Sequence, residues 1–212
     1  ALAASVAKRF VSSNIVFINR IGNTIGAEKM LIKHPIKRAM YLLANRFIGK
    51  NSNHIIFQCH YMANDYIKET GVNPKMQSII YNPVQVRKVE QLACERVDKV
   101  FTFIAVGRLN PQKDYKTLLD ACALLKEKKV NFTLGIIGEG NLKEGLTAQL
   151  KSLQLEEHVF LMGFHANPYP YMKSARYLVS SSLYEGFSNV IIESLCLGTP
   201  VISTNCPGGN AE

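Results

Sequence analysis

From Phe101 to Thr204 the chain alternates short, continuously apolar runs with longer runs in which apolar residues recur at helical spacing. A strand that is apolar on both faces must be covered on both, and helices crossing over between parallel strands do this. The spacing predicts strands over 101–106, 132–137, 158–162, 177–181 and 200–204. Helices are expected between them, over 115–128, 141–153, 168–174 and 188–197. Leu118, Cys122 and Leu125 mark the apolar face of the first helix, and Leu142, Leu146, Leu150 and Leu153 that of the second. The expected class is α/β with a doubly wound parallel sheet, whose ligand crevice lies at the carboxyl ends of the strands.

The first hundred residues repeat this pattern less sharply. A helix opens the chain, followed by a strand over 14–18, one long helix over 31–49, a strand over 54–57, a helix over 62–68 and a strand over 77–80. This reads as the second half of another domain of the same class. The expected division is residues 1–88 and 89–212, with Gln85 to Lys99 as a polar, charged connection.

Charge separates the two halves. The net charge is +9, and residues 1–96 hold 14 Lys and Arg against 5 Asp and Glu, whereas residues 97–212 hold 11 of each. Within the basic part, Lys29, Lys33, Lys37, Arg38, Arg46 and Lys50 are interleaved with apolar residues in a helix-like stretch. It fits an anionic membrane surface or an anionic acceptor, and equally a solvated helix packed on its own domain. No nucleic-acid motif accompanies the charge, so nucleic acid is not an expected partner. Lys8 and Arg9 interrupt the only apolar run near the start, and no run approaches the roughly 18–20 residues of a membrane span. The five cysteines form no Cys-x-x-Cys pair and no Cys/His ligand set, which points to a reducing, cytoplasmic compartment.

The chemistry concentrates between Ser182 and Ser203. Gly186 breaks the strand ahead of it, Ser188 or Asn189 can cap a helix, and Gly198, Thr199 and Pro200 stop it. Glu185 then stands on the loop and Glu193 about 7.5 Å along the helix, with the amides of Gly186, Phe187, Ser188, Asn189 and Val190 expected to point into the same crevice. An isolated carboxylate pair would belong on a solvated surface. After the first strand, Gly107-Arg108-Leu-Asn-Pro111-Gln-Lys113-Asp114 places a guanidinium and an ammonium at the sheet's carboxyl edge, with Asp114 able to cap the next helix. Gly138-Glu139-Gly140 fails the dinucleotide fingerprint, because position 143 is Lys. It reads as a tight strand-to-helix turn.

Together, Glu185-x7-Glu193 with Gly186-Phe187, then Gly198-Thr-Pro-Val-Ile-Ser-Thr-Asn and Pro207-Gly-Gly-Asn-Ala-Glu212, closely resemble the retaining glycosyltransferases of family 4. The resemblance is strong from Phe101 onward and looser before it. It implies the GT-B fold of two Rossmann-like domains, both incomplete here: residues 1–88 as the carboxyl half of the acceptor-side domain, and 89–212 as a nucleotide-sugar-binding domain missing its end. Tyr81-Asn82-Pro83-Val84 resembles the family's exit from the first domain and equally an ordinary turn. Opening on Ala1 and stopping inside a family-like motif, the chain reads as a piece of a longer protein.

The resemblance further implies that Glu193 accepts hydrogen bonds from ribose and that Glu185 lies near the donor sugar. Arg108 and Lys113 would neutralise the diphosphate, and Gly138 and Phe164 would lie near the nucleotide, with His165 a weaker candidate. No cofactor and no metal are expected, because the donor is a substrate and no Asp-x-Asp pair accompanies the candidate crevice. The implied activity is transfer with retention from a nucleotide sugar, a UDP-sugar, to a polysaccharide or lipid-linked oligosaccharide. Its expected setting is cytoplasmic, peripheral on the inner face of the membrane. The alternatives are a sugar-nucleotide epimerase of the same fold and a non-catalytic nucleotide-sugar-binding domain.

Overall fold

Two separate parallel sheets, one of three strands and one of five, organise the chain in the computed structural model, which describes residues 2–7 and 15–212. Lys8, Arg9 and the start of the strand expected over 14–18 lie outside the described residues. The chain divides into two compact units: residues 1–82 with 184–187 and 207–212, and residues 83–183 with 188–206.

The first unit contains α1 (Leu2–Ala7), β1 (Ile18–Arg20), α2 (Ile25–Leu31), α3 (Pro35–Asn51), β2 (His54–Phe57), α4 (His60–Thr70) and β3 (Gln77–Ile79), with the strands in sequential order. Its core gathers Ile21, Ile25, Ile55, Phe57, Met62 and Tyr66, all buried, with Phe187 packed against them. β1 runs only over 18–20, later than expected, because Ile15 and Val16 stay exposed while Asn19 turns inward. The single long helix expected over 31–49 is two helices. Ile32 and His34 adopt extended backbone on either side of the break, and Pro35 begins α3 at its first turn, since a residue before proline is held out of the α region. Lys29 therefore leaves the basic helix, and its ammonium pairs with Glu69.

The second unit contains α5 (Val86–Leu92), β4 (Phe103–Val106), α6 (Tyr115–Glu127), β5 (Leu134–Ile137), α7 (Lys143–Ser152), β6 (Val159–Gly163), α8 (Tyr169–Ser174), β7 (Tyr177–Ser180), α9 (Asn189–Cys196) and β8 (Val201–Ser203). The connection expected over 85–99 thus contains a helix, and the boundary expected at 88/89 runs through it. Asn167 anchors that helix by donating to the Leu92 carbonyl at 2.9 Å. The strands lie in the order β6-β5-β4-β7-β8, all parallel, so the winding reverses between β4 and β7. Leu119, Leu134, Ile136, Leu146 and Leu155 are fully buried on one side of the sheet, each worth about 1.5–3 kcal/mol of transfer free energy. Phe101, Ile104, Met172 and Leu178 fill the other side. Among the described residues no helix is long and apolar enough to cross a membrane.

Candidate functional site

In an open α/β sheet the ligand crevice forms where the winding reverses, outside the carboxyl ends of the flanking strands. In the second unit that place is the pair of loops after β4 and β7. The β4 loop carries Arg108, exposed, and turns through a short 3-10 segment, Pro111–Lys113, whose Lys113 amide donates to the Asn110 side chain at 3.3 Å. The β7 loop pins that turn: the Ser181 hydroxyl donates to the Lys113 carbonyl at 2.7 Å, and the Leu183 amide donates to the Gln112 carbonyl at 2.8 Å. Lys113, Ser181, Ser182, Ser188 and Val190 line a narrow gap of about 10 Å³ at the reversal point, room for about one water.

Asp114 occupies the N-cap position of α6 but makes no capping bond to the backbone. Its backbone is left-handed (φ 45°), and its carboxylate accepts from the Thr117 hydroxyl in the first turn of α6 at 2.7 Å. Ser188 is the N-cap of α9, and its hydroxyl also makes no capping bond. The end of α9 is closed as expected. Gly198 is left-handed (φ 75°), its amide donates to the Leu195 carbonyl at 3.0 Å, and the Thr199 amide donates to the Ser194 carbonyl at 3.0 Å. This is a Schellman closure.

Glu193 sits half-buried on α9, where burial pushes its carboxyl up and a hydrogen bond from the Tyr169 hydroxyl, 3.2 Å long, pulls it part of the way back. Tyr169 leaves no signal in the sequence, because nothing in a linear pattern pairs α8 with α9. Gly138 has a packing reason to be glycine: a Cβ there would stand 1.9 Å from the Gly107 carbonyl oxygen. Phe164, at the carboxyl end of β6, is 75% exposed. His165 packs edge-on against Tyr171, ring centroids 5.1 Å apart.

Glu185, Gly186 and Phe187 group with the first unit. Glu185 is buried and its amide donates to the Pro207 carbonyl at 2.9 Å. Gly186 accepts at its carbonyl from the Gly209 amide at 2.8 Å. Phe187 stacks at a tilt on Tyr81, centroids 4.9 Å apart, and its carbonyl accepts from the Asn82 side chain at 2.9 Å. The residues expected in one crevice are therefore divided: Arg108, Lys113, Gly138, Phe164, Ser188, Asn189, Val190 and Glu193 belong to the second unit, and Glu185, Gly186 and Phe187 to the first. The segment 207–212 closes back onto α4, whose His60 and Tyr61 amides donate to the Glu212 carboxylate at 3.0 and 2.8 Å.

The family described as glycosyl transferases group 1 matches residues 91–212. The chain is 40% identical over 149 residues, 70% of its length, to N-acetylgalactosamine-N,N'-diacetylbacillosaminyl-diphospho-undecaprenol 4-alpha-N-acetylgalactosaminyltransferase of Campylobacter jejuni, of which this covers 40%. It is 32% identical over 93% of its length to an uncharacterised glycosyltransferase of Methanocaldococcus jannaschii, of which this covers 53%. The chain thus spans about half the length of these relatives or less. The structure of HepE from Anabaena in complex with UDP and glucose superposes with a TM-score of 0.76 at 19% identity, over 97% of this chain and 56% of that one. That likeness shows the fold, two Rossmann-like sheets of GT-B type. With the family matching more than half of its residues, the chain belongs to the group 1 glycosyltransferases.

Proposed function

We propose that the protein transfers a sugar, with retention at the anomeric carbon, from a UDP-sugar to a hydroxyl of a polysaccharide or lipid-linked oligosaccharide in cell-surface glycan synthesis. The observation that carries this reading is the pinned loop after β4, which holds Arg108 and Lys113 at the reversal point of the sheet. A planar guanidinium and a compact ammonium suit a diphosphate. The names of the relatives supply the rest of the chemistry: a diphospho-undecaprenol-linked acceptor for the Campylobacter transferase and UDP for the Anabaena protein.

In the proposed reaction the bond from the anomeric carbon to the diphosphate breaks, and the acceptor oxygen bonds to that carbon on the same face. The acceptor proton passes to the departing phosphate oxygen, so no protein nucleophile is needed. Arg108, Lys113 and the first-turn amides of α9 stabilise the charge that develops on the diphosphate, a role a metal ion would otherwise fill. Glu193 accepts from the ribose hydroxyls, the exposed ring of Phe164 offers a face to the base, and Gly138 lets the β4 and β5 loops close up beneath the nucleotide. We assign Glu185 to the donor sugar on the family resemblance.

A cytoplasmic setting and a membrane-surface contact complete the reading. α3 leaves Ile36, Met40 and Leu43 exposed beside Lys33, Lys37 and Arg38, the composition of a helix that rests on anionic headgroups. Binding to anionic vesicles should weaken as salt screens the basic side chains, each of which is worth about 1 kcal/mol near such a surface. Salt-indifferent binding would leave α3 as a solvated helix. The transferase reading itself is tested by UDP release from UDP-sugars on the full-length protein. Release that depends on acceptor supports it. Release without acceptor would favour an epimerase or hydrolase, and UDP binding without turnover a non-catalytic domain.

A further inference from the structure

The five-stranded sheet of the second unit ends at β6, and a depression of about 610 Å³ runs along that edge. The Leu134 amide donates to the His158 carbonyl at 2.8 Å, and Leu134 pairs in register with Val159. Residues of a parallel strand bond to alternate sides, so Phe160 turns its backbone groups toward β5 and Leu161 turns its N–H and C=O outward. Val159 faces outward as well, and its amide donates to the Leu155 carbonyl at 2.8 Å. Past that bond, no strand pairs with this side of β6 among the described residues. An edge that presents backbone donors and acceptors in this way is a template for a further strand.

The walls define what that strand would carry. Val159 and Leu161 pack toward α7, and Phe160 and Met162 toward the opposite face, so the floor of the depression is apolar. The rim holds Lys143 and Lys151 on the α7 side, and Asp98 and Lys99 on the other. Two of these charges are already matched: Lys143 pairs with Glu139 at 2.8 Å, and Asp98 accepts from the Tyr171 hydroxyl at 2.8 Å. The Lys99 ammonium sits over the Phe160 ring, 3.2 Å from its centroid, and neither it nor Lys151 makes an ion pair with a described residue. One exposed ammonium thus flanks each face of the free edge, against the single further carboxylate of Glu156. A strand laid here turns successive side chains to the two faces, so adjacent acidic residues in an otherwise apolar strand match Lys151 and Lys99. A second copy fits worse. Pairing β6 with itself about a two-fold axis would set α7 beside its own copy, and Lys143 and Lys151 against like charges.

We propose that the free edge of β6 takes up an extended acidic segment of a partner protein by strand addition, with the Leu161 backbone pairing it and Lys99 and Lys151 selecting its charge. The site is independent of the donor chemistry. Its test uses a soluble peptide of valine and threonine carrying two adjacent glutamates, on the full-length protein. Two controls accompany it: the same peptide with lysines in place of the glutamates, and the acidic peptide with alternate backbone nitrogens methylated. Fluorescence anisotropy should show saturable binding of the unmethylated acidic peptide alone, and hydrogen exchange at the Leu161 amide should slow about tenfold or more as it binds. The double variant Lys99→Glu, Lys151→Glu should weaken that binding about tenfold with an unchanged thermal midpoint, because both side chains are exposed. No binding, equal binding of the lysine or methylated peptide, or binding that survives the double variant would overturn the proposal. Exchange at Leu161 already slow without peptide would assign the edge to the chain itself or to a second copy, and would also overturn it. Dodecyl phosphate that binds in place of the peptide, with no slowing at Leu161, would make the depression a cleft for amphiphiles and overturn strand addition.

Discussion

The hydroxyl of Tyr169 on α8 donates to the Glu193 carboxylate on α9 at 3.2 Å, and this bond opposes the effect of burial on the acid. Burial alone favours the protonated form; the bond favours the ionised one. If ionised Glu193 receives the ribose hydroxyls, UDP affinity should fall as pH drops through its raised pKa. Tyr169→Phe removes the opposing bond, so the fall should begin at a higher pH, and Glu193→Gln should flatten the profile. Calorimetric titration of UDP from about pH 4 to pH 8 reads all three curves against the ordinary carboxylate range. For folding stability the sign is the reverse. The folded state holds this proton more tightly than the unfolded chain, so the contribution is present below the unfolded pKa and lost as pH rises through the folded one.

Arg108→Ala and Lys113→Ala should each lower kcat about a hundredfold to a thousandfold, roughly 2.7–4 kcal/mol for one preorganised counter-charge. Wild-type turnover should persist in excess chelator, because these two cations and the α9 amides carry the proposed stabilisation. Lys113→Arg should rescue only in part, since a planar fork does not occupy the place of a compact ammonium. Steady-state kinetics of the full-length protein with and without chelator decides it; near-normal turnover in both alanine variants would remove the electrostatic mechanism.

Gly138→Ala and Gly145→Ala should move stability in opposite directions. A Cβ at 138 would stand 1.9 Å from the Gly107 carbonyl oxygen, whereas one at 145 meets nothing within 4 Å. The first change should cost about 1–3 kcal/mol through forced backbone displacement and weaken UDP binding by moving the Arg108 loop. The second lies inside α7 and should add about 0.5–1 kcal/mol. Denaturant midpoints of the two variants provide the comparison.

Glu212→Ala should destabilise the first unit by about 0.5–2 kcal/mol, the usual cost of removing a helix cap. Burial pushes the Glu212 carboxyl up, but the amides of Tyr61 and His60 and the Tyr81 hydroxyl more than offset this, leaving it below its usual value. Its contribution is therefore present above the unfolded pKa and lost as pH falls through the folded one. Stability measured against pH should show an acid-side loss in the wild type that is smaller in Glu212→Ala.

Much of the second unit was legible because buried parallel strands leave a local trace. The runs at Phe103–Val106 and Leu134–Ile137 are apolar on both faces, and the Leu146 and Leu150 spacing identifies α7 without its neighbours. β1 hid because it is three residues long and carries Asn19 and Arg20. The break between α2 and α3 was masked by apolar residues on both sides of Pro35, although the proline itself was the signal. α5 looked like a charged connection because Val89 is its only buried residue. The Glu-x7-Glu spacing together with its flanking Gly186-Phe187, Gly198-Thr-Pro and Pro207-Gly-Gly residues pointed to the family, but not to Glu185 and Glu193 falling in different units. Glu185 groups with the first unit, as does Pro207, whose carbonyl accepts from its amide, a tertiary interaction that no local spacing encodes.

The claim that the second unit binds the nucleotide of the donor through Glu193 is tested most directly by titrating UDP into the full-length wild type and its Glu193→Ala variant at neutral pH. The account predicts saturable binding by the wild type and a loss on the order of 1.5–3 kcal/mol in the variant, the scale of a hydrogen bond to a charged group. That corresponds to a dissociation constant raised roughly tenfold to a hundredfold or more. No UDP binding by the wild type, or an unchanged dissociation constant in Glu193→Ala, would contradict it.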